Sequence, residues 1–176
     1  MRTTTVSGCA VPYTKRACLR TTVCGQQVPV WALHKIIMLL GARLYASCFA
    51  LLRVAFEAYV RGEWLALCTT DTQVQKFLGG WEPPNIDKML GALARKNAFE
   101  DGRLSLIKNR NWKALCGYTH TGGIQVQRWN TSDGIEANYS TAELLEVLRF
   151  AEIVATLSVL GVLVLGGRRR DLREVV

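Results

Sequence analysis

Three charged side chains stand four residues apart in an otherwise apolar segment: Arg53, Glu57 and Arg61. In a helix these positions share one face, so they form a charge ladder. One interpretation is a solvated stripe of ion pairs, each contributing roughly 0.2–0.5 kcal/mol. The other is a pocket lined by the ladder with Tyr59 and Trp64, where guanidinium groups beside aromatic rings bind a phosphate or a planar base.

A second concentration of hydrogen-bonding side chains follows residue 117. Its members are Tyr118, His120, Gln125, Gln127, Arg128 and Trp129. In an extended chain both glutamines and the tryptophan would share one face. One interpretation is structural, with the histidine near a helix end, Gly122-Gly123 reversing the chain and the rest anchoring a loop. The other interpretation is a ligand-binding or catalytic site.

His120 is the candidate catalytic residue because its imidazole titrates near neutrality and can serve as a general acid or base. Arg110 or Lys113, on the preceding predicted helix, would stabilise a developing negative charge. These types fit metal-independent cleavage of RNA, with Arg61 as a further cation. That chemistry requires the groups to converge within roughly 6 Å in one cleft or across a dimer seam.

Two segments resemble a family of small helical bacterial or phage proteins of unknown function. They are Glu-Ala-Tyr-Val-Arg-Gly-Glu-Trp at 57–64 and His-Thr-Gly-Gly-Ile-Gln-Val-Gln-Arg-Trp at 120–129. The resemblance covers about residues 42–166, implies an intracellular helical protein and brings no established activity. More distantly, the arrangement is similar to HEPN domains, helical bundles that in many cases cut RNA without a metal. Their signature has an arginine four to six positions before a histidine, whereas here Arg110 precedes His120 by ten.

The cysteines and histidines do not have the spacing of a metal site. The chain has six cysteines without a Cys-x-x-Cys pair and only two histidines, whereas zinc sites combine closely spaced pairs. Phosphate-binding loops, Gly-x-Gly-x-x-Gly and His-Glu-x-x-His motifs are absent from the sequence. We therefore predict no metal, no cofactor and a cytoplasmic protein with reduced thiols.

The net charge of +8 is concentrated in the first third of the chain. Residues 1–56 contain seven Lys or Arg and no acid, whereas residues 57–176 contain 15 basic and 14 acidic residues, a net of +1. RNA remains an alternative partner, through a basic N-terminal arm rather than a basic domain.

From residue 30 onward, apolar residues recur at three- and four-residue steps, which predicts an all-α bundle of about six helices. They are expected at 32–40, 43–68, from Thr70 or Asp71 to Gly79, from Pro83-Pro84 to 96, at 102–118 and at 140–165. Ser140 and Glu143 match a capping box at the start of the last one. Residues 124–139 are expected to form a short strand or an ordered loop.

The pattern divides the chain into a disordered or irregular basic arm (1–29), one helical domain (30–167) and a basic tail (168–176). Residues 153–167 carry no charge and precede Arg168-Arg169-Arg170. Because about 20 apolar residues are needed to span a bilayer, we expect a buried C-terminal helix rather than membrane association.

The leading functional hypothesis is a binding or regulatory helical module in a bacterial stress or phage-defence setting. It would act on a protein partner or as a homodimer, which predicts an exposed apolar helix face of several hundred Å². Two alternatives stay open. One is a metal-independent, HEPN-like ribonuclease using His120 and Arg110, and the other is a small-ligand pocket lined by Arg53, Glu57 and Arg61.

Overall fold

The computed structural model describes residues 15–96, 99–120, 122–132 and 134–171, and these ranges contain seven α-helices. The helices are α1 (Lys15–Gly41), α2 (Tyr45–Cys68), α3 (Asp71–Leu78), α4 (Ile86–Leu93), α5 (Arg103–Thr119), α6 (Gly123–Gln127) and α7 (Thr141–Asp171). The only β-type pairing in those ranges is an isolated bridge between Asn130 and Ile135. The predicted all-α bundle is confirmed.

Helix α2 lies at the centre of the fold, packed against α1, α4, α5 and α7. Its buried residues recur at three- and four-residue steps, as the sequence predicts; they include Phe49, Leu52, Phe56, Tyr59, Val60 and Trp64. The ring of Phe56 lies 6.2 Å from that of Phe150, and Glu63 lies beside Gly161. Helices α2 and α7 therefore run in the same direction.

Helix α1 begins at Lys15, so residues 15–29 are helical rather than part of an irregular arm. It includes the buried Pro29. The contacts that favour this helix are tertiary, because fully buried Gln26 donates a 2.7 Å hydrogen bond to Glu63 on the antiparallel α2. Residues 1–14 of the expected arm lie outside the described residues.

Helices α3 and α7 begin with the side-chain caps that the sequence predicts. Thr70 caps α3, and its backbone N–H donates to the side chain of Gln73 in a capping box. At α7, the hydroxyl and backbone N–H of Ser140 donate to Glu143 Oε2 at 2.8 and 2.9 Å, while the Glu143 N–H donates back to the hydroxyl. Side-chain caps therefore fix where these two helices begin.

Residues 123–127 form the short helix α6 instead of the expected strand or loop. The carbonyl of Gly122 accepts hydrogen bonds from the N–H groups of Gln125 and Val126, which closes a helical turn. The two glutamines therefore do not share a face of an extended segment.

Helix α7 is buried on one side only, which differs from the expected buried helix. Its segment Thr141–Leu165 is long and apolar enough to cross a membrane by length and composition, yet only 28% of the most apolar window is buried. The buried side contains Val147, Ala151, Val154, Ala155 and Ser158.

Candidate functional site

A cleft of about 570 Å³ opens between the charge ladder on α2 and the segment that joins α3 to α4. All three ladder residues line it, and Trp112 of α5 contributes to its wall. The remaining wall comes from Phe77, Gly80, Trp81, Glu82, Pro83, Pro84, Asn85, Ile86 and Met89. The structure thus places the ladder in a concave surface rather than on a solvated helix face.

Arg53 organises one edge of this cleft through three contacts. Its Nε donates to Glu57 Oε1 at 2.7 Å, and its Cζ lies 4.9 Å from the centroid of the Trp112 ring. Its Nη1 also contacts Nε2 of His120. A guanidinium can only donate, so Nε2 would be the acceptor of a hydrogen bond in this contact.

The contact between Arg53 and His120 joins the two polar groups of the sequence at one place. His120 is the C-cap residue of α5, where its backbone N–H donates to the carbonyl of Cys116, and its side chain is exposed. A member of the second polar group therefore lies at the edge of the cleft that the first group lines.

Arg61 presents an unusual hydrogen-bond donor in the cleft wall. Its Nε is buried, and no acceptor among the described residues bonds to it. A buried donor without an acceptor costs about 1–3 kcal/mol. Arg61 also lines the cleft, so a small movement of its side chain would bring this donor to a negatively charged or carbonyl oxygen there.

The aromatic residues of the cleft differ from those expected. Tyr59 and Trp64 are only 3% and 5% exposed and belong to the core. Burial, with a further contribution from the charge of Glu63, raises the pKa of Tyr59 above its ordinary value. Trp81 and Trp112 take their place, and Trp81 packs on Trp64 with ring centroids 6.4 Å apart.

Sequence reasoning missed Trp81 and Trp112, although local signals mark both positions. Trp81 lies between Gly79-Gly80 and Pro83-Pro84, in the turn that follows the end of α3. Trp112 lies four residues after Lys108, whose Nζ is 5.3 Å from the centroid of its ring. Nothing in the sequence indicates that both tryptophans line one cleft with the charge ladder.

Arg110 does not join His120. It is exposed on α5, ten residues before the histidine, and ten helical residues span about 15 Å. Lys113 is also exposed. The cation that the structure brings to His120 is Arg53, so the convergence required for the Arg110–His120 pair is not met.

The other members of the second polar group lie away from the cleft wall. Arg128 forms an ion pair with Glu143, and Tyr118 packs on Phe49 with ring centroids 4.5 Å apart. Gln127 is exposed, and Gln125 has a buried Oε1 without a hydrogen-bond partner. Arg128 thus connects the segment after α6 to α7, and Tyr118 connects α5 to α2.

The described residues contain no cluster of three or more His, Cys, Asp or Glu side chains that could hold a metal ion. The thiols of Cys48, Cys68 and Cys116 are free. Burial raises the pKa of Cys48 to about 11, so its thiol stays protonated and unreactive near neutrality. The predictions about metals and cofactors stay predictions.

Comparison with known proteins gives one match. The model of a family of unknown function, DUF6988, matches residues 32–176, and the chain belongs to this family. No curated protein and no solved structure matches the chain. The predicted membership in an uncharacterised family is confirmed, while the similarity to HEPN domains stays a prediction.

Proposed function

For this member of DUF6988, we propose that the cleft binds a small ligand combining a flat heteroaromatic ring with a phosphate group, in other words a mononucleotide. The observation that carries the proposal is the buried, unpaired Nε of Arg61 in a wall that also contains Trp81 and Trp112. The proposal places the protein among binding or regulatory modules.

The phosphate is expected to lie against Arg61. A guanidinium offers several N–H donors in a planar fork that matches phosphate oxygens. Arg53 is less available, because its Nε already donates to Glu57 and its Nη1 contacts His120. Glu57 therefore fixes Arg53 in place, while Arg61 keeps the free donor.

The ring is expected to stack on an indole. Trp81 is 40% exposed, so a large part of its surface is available to a ligand. Stacking of a base on an aromatic side chain contributes about 1–3 kcal/mol. A volume of about 570 Å³ falls within the range of roughly 300–1,000 Å³ that small-molecule sites occupy.

Ligand occupancy would link the three parts of the fold that meet at the cleft: α2, the α3–α4 segment and α5. A ligand that bridges them would restrict their relative motion, which is how a sensor changes the surface it offers to a partner. The cytoplasmic location and the stress or phage-defence setting stay predictions.

Isothermal titration calorimetry with the four ribonucleoside monophosphates tests the proposal. We expect at least one to bind, with the matching nucleoside and inorganic phosphate each binding about tenfold or more weakly. Arg61→Ala should abolish the difference between nucleotide and nucleoside, whereas Arg149→Ala, on exposed α7 surface outside the cleft, should leave binding unchanged. Failure of all four nucleotides to bind at millimolar concentration would refute the proposal.

A metal-independent ribonuclease is a second candidate, favoured by the contact between His120 and Arg53. In that reaction a base removes the proton of the 2′-hydroxyl, the 2′-oxygen attacks phosphorus and the 5′-oxygen leaves with a proton. Cleavage of a single-stranded RNA oligonucleotide in EDTA tests it. Activity lost in His120→Ala and Arg53→Ala but kept in Arg110→Ala would support this candidate; intact RNA would exclude it.

A further inference from the structure

A long, mostly apolar groove runs beside α7, separate from the cleft; Glu143, Glu146 and Arg149 line one end of it. It consists of three adjoining cavities of about 470, 220 and 220 Å³. The first two share Asn111, Phe150 and Ile153, and the last two share Tyr59 and Leu157, so each cavity adjoins the next. Helix α2 contributes residues to all three, and no residue of their walls lines the cleft.

The side of α7 next to this groove is apolar and exposed. In the second half of the helix, five large apolar residues have roughly half or more of their surface accessible: Ile153, Val159, Leu160, Leu163 and Val164. They recur at three- and four-residue steps, so they form one stripe. Ile153, Leu160 and Val164 also line the groove, which makes stripe and groove one continuous surface.

We propose that a second copy of this chain covers this surface, with the two α7 helices packed antiparallel about a two-fold axis. A two-fold interface uses the same patch on both copies. The stripe of one copy would lie in the groove of the other. Helix α7 of the first copy would then pack beside α2, α5 and α7 of the second. Packing of this kind removes from water an apolar patch that soluble monomers rarely expose.

The charges along α7 favour the antiparallel arrangement. Glu143, Glu146 and Glu152 lie in its first half, while Arg168, Arg169 and Arg170 lie near its end. An antiparallel pair centred near residue 157 brings position 168 of one copy level with position 146 of the other. A parallel pair would instead place acids level with acids and arginines level with arginines, which is repulsive.

The same helix fits a bilayer less well than it fits a second copy. The uncharged segment 153–167 has 15 residues and spans about 22 Å, whereas the hydrocarbon core is about 30 Å thick. Extending the span toward the N-terminus would bring Glu152 and Arg149 into lipid, and charged side chains there are costly.

Sedimentation velocity on the full chain, without detergent, tests the interface. We expect a dimer at micromolar concentration, and Leu163→Asp should weaken it about tenfold or more because the substitution places a charge in the apolar seam. Leu78→Asp is the matched control, since Leu78 is similarly exposed but lies on α3. Circular dichroism of both variants verifies that the helices are retained.

A charge exchange and a cross-link test the orientation. Glu146→Arg should weaken the dimer, and the double variant with Arg168→Glu should restore it. Thr156→Cys, exposed near the midpoint, should form an intermolecular disulfide under mild oxidation, whereas Val164→Cys should not, because antiparallel helices separate the two copies of that position.

A monomer at all concentrations would overturn the proposal, as would a dimer that Leu163→Asp leaves intact. Co-sedimentation of the wild type with vesicles of phosphatidylethanolamine and phosphatidylglycerol, abolished by Leu163→Asp, would also overturn it by assigning the surface to a bilayer. A Val164→Cys disulfide without a Thr156→Cys disulfide would refute the antiparallel orientation.

Discussion

Arg53 and Arg61 have the same side chain and face the same cleft, yet they have different tasks. Arg53 is bound by Glu57, Trp112 and His120, so most of its interactions are within the protein. Arg61 has a buried Nε without an acceptor. A group left unsatisfied in this way is typical of a site that gives up stability in order to bind a ligand.

Replacing Arg61 by Leu should therefore separate stability from binding. The change removes the unpaired donor and retains much of the apolar stem, so we expect the free energy of unfolding to stay constant or rise by about 1 kcal/mol. Nucleotide affinity should fall about tenfold or more. Urea denaturation and calorimetry measure the two quantities, and a loss of both would assign Arg61 to the packing of the fold.

Arg53→Ala, in contrast, should lower the free energy of unfolding. The change leaves Glu57 without its ion-pair partner and Trp112 with Lys108 as its remaining nearby cation. Because the Arg53 and Glu57 side chains are still 20% and 26% exposed, we expect a loss of stability of only about 1 kcal/mol. Urea denaturation of Arg53→Ala beside Arg149→Ala measures it, and equal stability of the two variants would contradict this expectation.

The spacing of the charged residues predicts part of the site. Four-residue steps suffice to place Arg53, Glu57 and Arg61 on one face of a helix. The same periodicity suggested Trp64 as a neighbour, but helix α2 is enclosed on several sides and Trp64 lies in its buried part. A turn positions Trp81 in the cleft, and the packing of α5 positions Trp112. Local sequence patterns predict neither position.

The start of helix α7 depends on a carboxylate. Partial burial opposes ionisation of Glu143, but the hydrogen bonds from Ser140 and the charge of Arg128 outweigh it, and the pKa of Glu143 is lowered. A carboxyl whose pKa is lower in the folded state stabilises the protein above its unfolded pKa. This contribution is lost as the pH falls through the folded value.

Glu143→Gln should accordingly lower stability at pH 7 and change it little in acid, where the wild-type carboxyl is already protonated. Thermal melts of both proteins between neutral and acidic pH measure the difference in Tm, which should narrow as the pH falls. Glu136→Gln is the control, because Glu136 is exposed. A difference in Tm that is independent of pH would contradict the role of the Glu143 charge.

Close packing of α7 against α2 gives another prediction. A Cβ added to Gly161 would collide with Glu63 Oε1, and Glu63 is held by Gln26. Gly161→Ala should therefore destabilise the protein by about 1–3 kcal/mol. Gly91, on α4, has open space around it, so Gly91→Ala should stabilise by about 0.5–1 kcal/mol. If denaturant unfolding showed the same change in the free energy of unfolding for both variants, this prediction would be wrong.

The buried Gln26–Glu63 pair also explains why residues 15–29 were expected to be irregular. Threonines, cysteines and Pro29 give this stretch weak helical propensity and no amphipathic period. Its helix is supported by contacts 37 residues away in the chain, which sequence patterns do not encode. The other long helices, α2, α5 and α7, have a local apolar period or a cap. The sequence predicts α2 and α5 within two residues at each end, and it predicts the start of α7, which ends at Asp171 rather than at 165.

The fold class follows from the sequence because each long helix carries large apolar side chains that must be covered. Which helices cover one another does not follow. The sequence indicated that the C-terminal helix is apolar enough to be buried, but the groove beside it depends on how far α5 lies from α7. Residues of α2, α5 and α7 line this groove together, and their packing is tertiary.

The cleft and the groove have no wall residue in common, which predicts that nucleotide binding and dimer formation are independent. Leu163→Asp should yield a monomer whose nucleotide affinity, measured by calorimetry, equals that of the wild type within about twofold. Conversely, Arg61→Ala should bind nucleotide weakly and still sediment as a dimer. If the monomeric variant lost affinity tenfold, the two surfaces would be coupled through α2 and α5, the helices that contribute to both. By thermodynamic reciprocity, nucleotide would then strengthen the dimer by the same factor.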